Sequence, residues 1–245
     1  RSLWGLVDFD TSYNELGRAF LQGSWRMPSR LSLHASLDRR YSPFLSSGNA
    51  LIGQQLENFE ELTVLFSEEE IRALSIDRSA ITTSYTVGAS YPLNPRYQIN
   101  MDASRSRIGA TRESGGVPAT PSSTFDYYST NLVASSIFTE GDVSILGVRY
   151  SSTDTTDVIS LSIDTRFPVG RALRLNPRLR VDYRDIHADG SSEVLITPGL
   201  RMQYRWNRKI RIDFEAGRRF SKRQMDETDV NRDSYYLNLG YQLFF

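Results

Sequence analysis

The chain has 245 residues, a formal net charge of zero and 24% charged residues, with a mean hydropathy of -0.41. No run approaches the ~18 apolar residues of a membrane-spanning helix, so the composition excludes a helical membrane protein. It leaves a membrane β-barrel open, because a barrel strand needs only about 9–11 residues of which alternate ones are apolar. The absence of cysteine excludes disulfides and thiolate metal sites, and the balanced charge argues against a nucleic-acid binder.

Most of the chain alternates apolar and polar residues with a period of two, which predicts β-strands. The pattern is interrupted by an insert at residues 41–79 and by a Gly-, Ser-, Thr- and Pro-rich loop at 109–124. We therefore predict a single all-β domain over residues 1–245, a transmembrane antiparallel up-and-down β-barrel of about twelve strands. The predicted strands cover residues 3–9, 19–27, 31–40, 81–91, 97–103, 125–138, 143–150, 159–167, 179–183, 194–206, 210–216 and 233–245.

The lengths of the predicted connections support a membrane barrel. Those after even-numbered strands are all short, whereas long connections at residues 41–79, 109–124 and 221–232 follow odd-numbered strands. Transmembrane barrels have short periplasmic turns and longer extracellular loops. We therefore expect both termini on the periplasmic side of an outer membrane and the long loops on the extracellular side.

The insert between the third and fourth strands has helical spacing from residue 56 to residue 77. Ser67 followed by Glu70 predicts a capping box at the start of a second short helix. Long structured loops are often functional, so we predict a gate or plug, with a surface cap or a partner-binding bundle as the alternative. The residues assigned to the gate are Phe59, Glu60, Glu61, Leu65, Phe66, Glu68, Glu69 and Glu70.

The polar faces of the eighth to eleventh strands are rich in arginine. Only Lys209 and Lys222 are lysines among the 29 basic residues of the chain. Arginine ladders in a pore bind anionic or polyhydroxylated solutes through bidentate hydrogen bonds, but Arg–carboxylate pairs also simply fill a narrow lumen. Both interpretations stay open for the predicted lumen residues Arg166, Arg178, Arg180, Arg184, Arg201, Arg205, Arg211, Arg219, Asp182, Asp213 and Glu215.

Catalysis has little support in the sequence. Twelve-stranded barrels include an outer-membrane phospholipase, and resemblance to it would require a Ser–His pair with an amide partner. The only histidines are His34 and His187, and nothing in the sequence around them selects a serine. No metal-ligand cluster, phosphate-binding glycine loop or dinucleotide motif occurs, so no catalytic residue, metal or cofactor is predicted.

The last stretch, DSYYLNLGYQLFF (residues 233–245), resembles the closing strand of an outer-membrane β-barrel. The resemblance implies that Tyr241, Leu243 and Phe245 carry the signal read by the barrel-assembly machinery. It also implies outer-membrane lipid and lipopolysaccharide as surroundings.

Two further segments, LFSEEEIRALSIDRSA (65–80) and LNPRLRVDYRD (175–185), are similar to the C-terminal barrels of tetratricopeptide-containing outer-membrane proteins. That resemblance implies periplasmic helical repeats before the barrel, secretion partners, and export of a polymer such as an exopolysaccharide. We expect a conduit for a polar or anionic chain, with residues 56–77 as the gate. The alternatives are a passive porin for small anionic oligosaccharides and a structural barrel that anchors a larger envelope assembly.

Overall fold

The computed structural model describes residues 1–56, 58–225 and 229–244. Twelve strands form one sheet in which each strand pairs with its sequence neighbours, from β1 to β12 in order. This antiparallel, up-and-down arrangement is the fold class of the transmembrane β-barrels, as predicted. The strands are β1 Ser2–Asp10, β2 Glu15–Arg26, β3 Ser32–Ser42, β4 Ala80–Pro92, β5 Tyr97–Ile108, β6 Ser123–Ser135, β7 Val143–Thr153, β8 Thr156–Val169, β9 Leu173–Ile186, β10 Ser191–Arg205, β11 Ile210–Gln224 and β12 Asp229–Leu243.

The contacts divide the chain into two compact units. The first comprises Arg1–Arg26, Ser32–Gly88 and Ala103–Asp126, and the second comprises Met27–Leu31, Ala89–Asp102 and Tyr127–Phe245. The long insert therefore belongs to the first unit, and strands β8 to β12 belong to the second.

One face of the sheet is apolar and exposed, most clearly on β12. Tyr235, Leu239 and Tyr241 lie on that face with 88%, 74% and 76% of their surface exposed. Water-soluble proteins rarely expose a continuous apolar band of this kind, whereas a lipid-facing sheet must. None of the described helices is both long and apolar enough to cross a bilayer.

The charged segment at residues 221–232 is mostly strand, so its prediction as a long loop was wrong. Ser221 pairs with Arg232, and the ladder continues to Gln224 opposite Asp229. An ion pair joins Lys222 Nζ to an Asp229 carboxylate oxygen at 3.0 Å across this part of the hairpin. Opposite charges on facing strands stabilise pairing, although in the sequence they resemble a solvated loop.

The predicted helices of the insert are present, preceded by a 3-10 helix at Ser47–Leu51 that the sequence did not indicate. They are α1, Phe59–Leu65, and α2, Glu68–Asp77. The predicted capping box is also present, because the Glu70 N–H donates to Ser67 Oγ and the Ser67 N–H donates to Glu70 Oε2. These hydrogen bonds hold the pKa of the Glu70 carboxyl below its usual value.

Candidate functional site

The middle of the polar face of β8–β12 is organised around Arg178. Its Nη2 donates to Glu215 Oε1 and, at 2.8 Å, to the hydroxyl of Tyr236. The register places Arg178 opposite Gly199, Gly199 opposite Gly217, and Gly217 opposite Tyr236. The Tyr236 ring can cross both intervening strands only because those positions are glycines: a Cβ on Gly217 would lie 2.5 Å from its hydroxyl oxygen.

Three of the other seven predicted lumen arginines are also paired with carboxylates. Arg180 Nε donates to Asp182 at 2.7 Å, and the Asp182 carboxylate is almost fully buried. Arg184 donates to Glu193 at 3.1 Å, directly across the β9–β10 ladder. A third contact, from Arg201 to Asp213, measures 3.2 Å. We call Arg178, Arg180, Arg184 and Arg201 the paired group.

The end of the same face near the short turns is different. A cavity of about 110 Å³ lies between the β8–β9 turn and the adjoining ends of β9, β10 and β11. We call the four arginines that line it the turn-end cluster: Arg171, Arg174, Arg205 and Arg211. Within the described part of the chain, none of the four has an ion pair with a carboxylate.

Arg205 and Arg211 were predicted to line the lumen, whereas Arg171 and Arg174 were missed. A signal for them was present, because residues 165–181 and 194–212 contain no aspartate or glutamate. Each of these segments is a strand, a turn and a strand, so both bring arginine to the same end of the sheet without a compensating acid. The remaining predicted residues, Arg166 and Arg219, are exposed and also lack an ion pair among the described residues.

The predicted gate residues do not form one cluster. Phe59 and Leu65 are 40% and 63% exposed, and Glu60, Glu61, Glu68 and Glu69 are exposed as well. Phe66 alone among them packs partly against the small apolar core of the insert. That core consists of Ala50, Leu62, Ile71 and Leu74.

The insert packs against the loop between β5 and β6, which the sequence had indicated only as an irregular segment. This loop forms isolated bridges between Thr111 and Thr120 and between Ser114 and Val117. Gln54 Nε2 donates to the Gly115 carbonyl at 3.0 Å. The two long connections of the first unit therefore form one ordered body.

Arg78 joins these two connections. It is 5% exposed, and its guanidinium donates to the carbonyl of Ala50 in the insert and to that of Ser114 in the following loop, the latter at 3.1 Å. Burial lowers the pKa of the Arg78 guanidinium, although nearby Asp77 opposes the effect. The positive charge is thus held by neutral carbonyl oxygens.

Two carboxylates that lie in turns, Asp142 and Asp189, accept several hydrogen bonds from neighbouring residues. Burial raises the pKa of the Asp142 carboxyl, but hydrogen bonds from the backbone N–H groups of residues 137–139 outweigh it, and the pKa lies below its usual value. Hydrogen bonds from the Ser191 hydroxyl and N–H, with a smaller contribution from Arg223, lower the pKa of Asp189. In each turn the carboxylate accepts hydrogen bonds from the turn's own N–H and O–H groups and so stabilises the turn conformation.

His34 lies on β3, and His187 directly follows β9. His187 Nε2 lies 3.7 Å from an Asp157 carboxylate oxygen at the β8–β9 edge. His34 lies beside Ser24 in the register of β2 and β3. No group of three or more potential metal ligands is found within the described residues.

The predicted assembly residues Tyr241 and Leu243 are exposed on the apolar face of β12, at 76% and 53%. Phe245, the third, lies outside the described residues. The role of all three as an assembly signal stays a prediction.

No protein-family model matches the chain, and no curated protein matches it either. Among solved structures, it is similar to "Outer-membrane expressed OmpT of Vibrio cholerae", with 10% identity over 93% of this chain and 89% of that one and a TM-score of 0.48. It is also similar to "KdgM porin in complex with disordered oligogalacturonate", with 12% identity, coverages of 93% and 92% and a TM-score of 0.36. A third, "LpxR from Salmonella typhimurium", has 9% identity, coverages of 93% and 88% and a TM-score of 0.33. These likenesses are too distant to assign an activity.

The topology and the exposed apolar face define the class of the protein. It is a β-barrel protein of the outer-membrane type, with twelve strands. Its polar face carries the paired group and the turn-end cluster of arginines.

Proposed function

We propose that the protein is an outer-membrane channel that passes small anionic solutes, such as acidic oligosaccharides. The observation that carries the proposal is the turn-end cluster, in which four arginines line one cavity on the polar face. Clustered guanidinium groups create a positive potential, which concentrates anions and excludes cations from a narrow pore. Because the chain as a whole is neutral, the effect arises from the distribution of charge.

The test is the ion selectivity of single channels in planar bilayers. We expect the wild-type protein to favour anions, measured as the reversal potential in a salt gradient. Replacing Arg201, Arg205 and Arg211 together with glutamine should move that potential towards cation selectivity. Arg218→Gln is the control, because Arg218 pairs with exposed Asp233 and lies opposite Tyr235 on the apolar face. Unchanged selectivity in the triple variant would rule out Arg201, Arg205 and Arg211 as the anion filter.

A polymer-export conduit is the broader alternative in the same class. It adds a role for the insert as a gate, so deletion of residues 56–77 should increase the conductance of a channel that is otherwise closed. The full-length channel could instead be open already, with a conductance that does not change on deletion. That result would show that the insert is not a gate, while the channel proposal would stand.

A structural barrel is the second candidate, and the paired group favours it. Four of the predicted lumen arginines lie in ion pairs that fill the polar face with satisfied groups. A protein that conducts neither with nor without the insert would be an anchor in the membrane, and the channel proposal would be wrong.

A further inference from the structure

The cavity of the turn-end cluster has the features of a defined binding site. Its volume of about 110 Å³ is enough for more than one water molecule or a small anion. Besides the four arginines, its lining includes Gln203 and residues of the β8–β9 turn. The site thus offers hydrogen-bond donors from several directions.

Strand register fixes the relative positions of these donors. Arg205 is directly opposite Arg211 across the β10–β11 ladder. Arg174 is opposite Gln203 across the β9–β10 ladder, one step further along the same face. Arg171 approaches from the turn that precedes β9. Two neighbouring cross-strand pairs and one turn residue therefore line the same cavity.

The positive charge of this site has no paired carboxylate within the described residues. No acidic residue lines the cavity among the described residues. The nearest acid in the register is Asp213, opposite Gln203, and it already accepts hydrogen bonds from Arg201 and Gln203. Like charges directly opposite each other on paired strands are destabilising, so the Arg205–Arg211 pair favours an added anion.

Little of the donor capacity in the cavity is used internally. Arg211 gives one N–H to Gln242 at 3.2 Å and stacks on Phe244, with its Cζ 5.4 Å from the ring centre. The guanidinium groups of Arg171, Arg174 and Arg205 make no resolved hydrogen bond within the described residues. A guanidinium has five N–H donors in a planar fork that matches the oxygens of phosphate or carboxylate.

We propose that the turn-end cluster is a binding site for a phosphate group. A carboxylate offers two oxygens in one plane, whereas a phosphate monoester offers three charged oxygens in a pyramid and almost two negative charges near neutral pH. The second arrangement suits arginines that approach from a turn and from two rows of the sheet. The phosphate belongs either to a soluble solute or to a phospholipid headgroup at the turn side of the membrane.

The inference goes beyond the channel proposal, because an equilibrium binding site does not require conduction. It is tested in a phosphate-free detergent such as octyl glucoside at low ionic strength, with inorganic phosphate as the probe. Binding is followed by isothermal titration calorimetry and by broadening of the ³¹P resonance. We expect saturable binding to the wild-type protein and at least tenfold weaker binding to the Arg171→Gln, Arg174→Gln double variant.

Two controls keep the result interpretable. Arg218→Gln removes an arginine outside the site and should bind phosphate as the wild type does. Heat-modifiable migration in gels should be the same for all variants, which shows that weak binding does not reflect unfolding. Acetate, as the planar competitor, should displace phosphate less well than sulfate does.

A second experiment, with lipid vesicles, distinguishes a soluble phosphate from a phospholipid headgroup. The protein is incorporated into phosphatidylcholine vesicles with and without phosphatidylglycerol, and lipid retained after detergent extraction is counted in wild type and double variant. Retention that depends on Arg171 and Arg174 identifies a headgroup, whereas binding of inorganic phosphate alone identifies a soluble ligand. Equal behaviour of wild type and double variant in both arms would overturn the inference, and an anion-selective channel would be unaffected by that outcome.

Discussion

The paired group and the turn-end cluster share one polar face, yet they differ in what surrounds the arginines. In the paired group each guanidinium has a carboxylate within reach, and Asp182 is buried beneath Arg180. In the turn-end cluster the nearest acid is already bound to Arg201 and Gln203. Arginine content alone therefore does not identify a functional surface. In the paired group the arginine charges are compensated by carboxylates, whereas in the turn-end cluster they are not compensated within the described residues.

The largest effect should come from Gly217→Ala, which breaks the centre of the paired group. A methyl at that position would lie about 2.5 Å from the Tyr236 hydroxyl oxygen, so the ring must leave its contact with Arg178. We expect a loss of about 1–3 kcal/mol in the free energy of unfolding, measured by urea titration in detergent with tryptophan fluorescence.

Gly240→Ala is the matched control for that variant. Gly240 lies on the same face of the adjacent strand, and its nearest neighbour would be Asp213 Cβ at 4.0 Å, an ordinary contact. The contact of the Tyr236 hydroxyl with Arg178 is called the Tyr236 bridge. Equal stability of the two alanine variants would show that this bridge contributes nothing to the free energy of unfolding.

Arg78→Met tests a third kind of arginine, one whose charge is held by carbonyl groups. Removing it leaves the carbonyls of Ala50 and Ser114 without this donor, at a cost of about 2 kcal/mol to the local structure. The expected result is faster amide hydrogen exchange in residues 109–122 and in the insert, with the strands unaffected. Arg72→Met, which removes only an exposed pair with Glu68, should leave exchange unchanged.

Glu215→Gln compares the two sets directly. The variant removes the carboxylate that faces Arg178, and because both side chains are partly exposed the loss should be about 1 kcal/mol. Arg205→Gln should have the opposite sign or no effect, since it relieves repulsion from Arg211. Urea titrations of both variants at low salt measure the difference, and a larger loss for Arg205→Gln would mean that the turn-end cluster has an unrecognised internal partner.

The smallest effect concerns pH and the Asp142 turn. The pKa of this carboxyl is lower in the folded protein than in the unfolded chain, so the unfolded chain binds its proton first as pH falls. The stabilisation is therefore complete above the usual carboxyl pKa of about 3.9 and is lost as pH falls through the folded-state value. Unfolding of Asp142→Asn should show a weaker dependence on pH in that acidic range than the wild type does.

The sequence was sufficient for the strand number and for the capped helix, because both depend on local periodicity. It failed at residues 221–232, where charges that pair across β11 and β12 resembled a solvated loop. Among the described residues, the long connections are those at 43–79 and 109–122, so the loop lengths that indicate the orientation now come from two loops. The sides of the membrane on which the termini lie stay a prediction.

The site was less accessible to sequence reasoning, for a geometric reason. Ion pairs such as Arg178–Glu215 join strands that are not adjacent in the sheet, so only register and side-chain length together define them. Arg174 was overlooked because its neighbours in the chain are leucines at the start of a strand. Its environment depends on Gln203, which lies opposite it across the β9–β10 ladder and is distant in the sequence.

The Tyr236 bridge also has a consequence for the order in which the polar face is completed. The guanidinium belongs to β9, its carboxylate partner to β11, and the phenol to β12, the last strand to be synthesised. Before β12 docks, Gly199 and Gly217 leave a notch in the sheet and Arg178 has one acceptor fewer. A protein that lacked the final strand would therefore be one strand narrower, and its Arg178 would lose the Tyr236 hydroxyl as an acceptor.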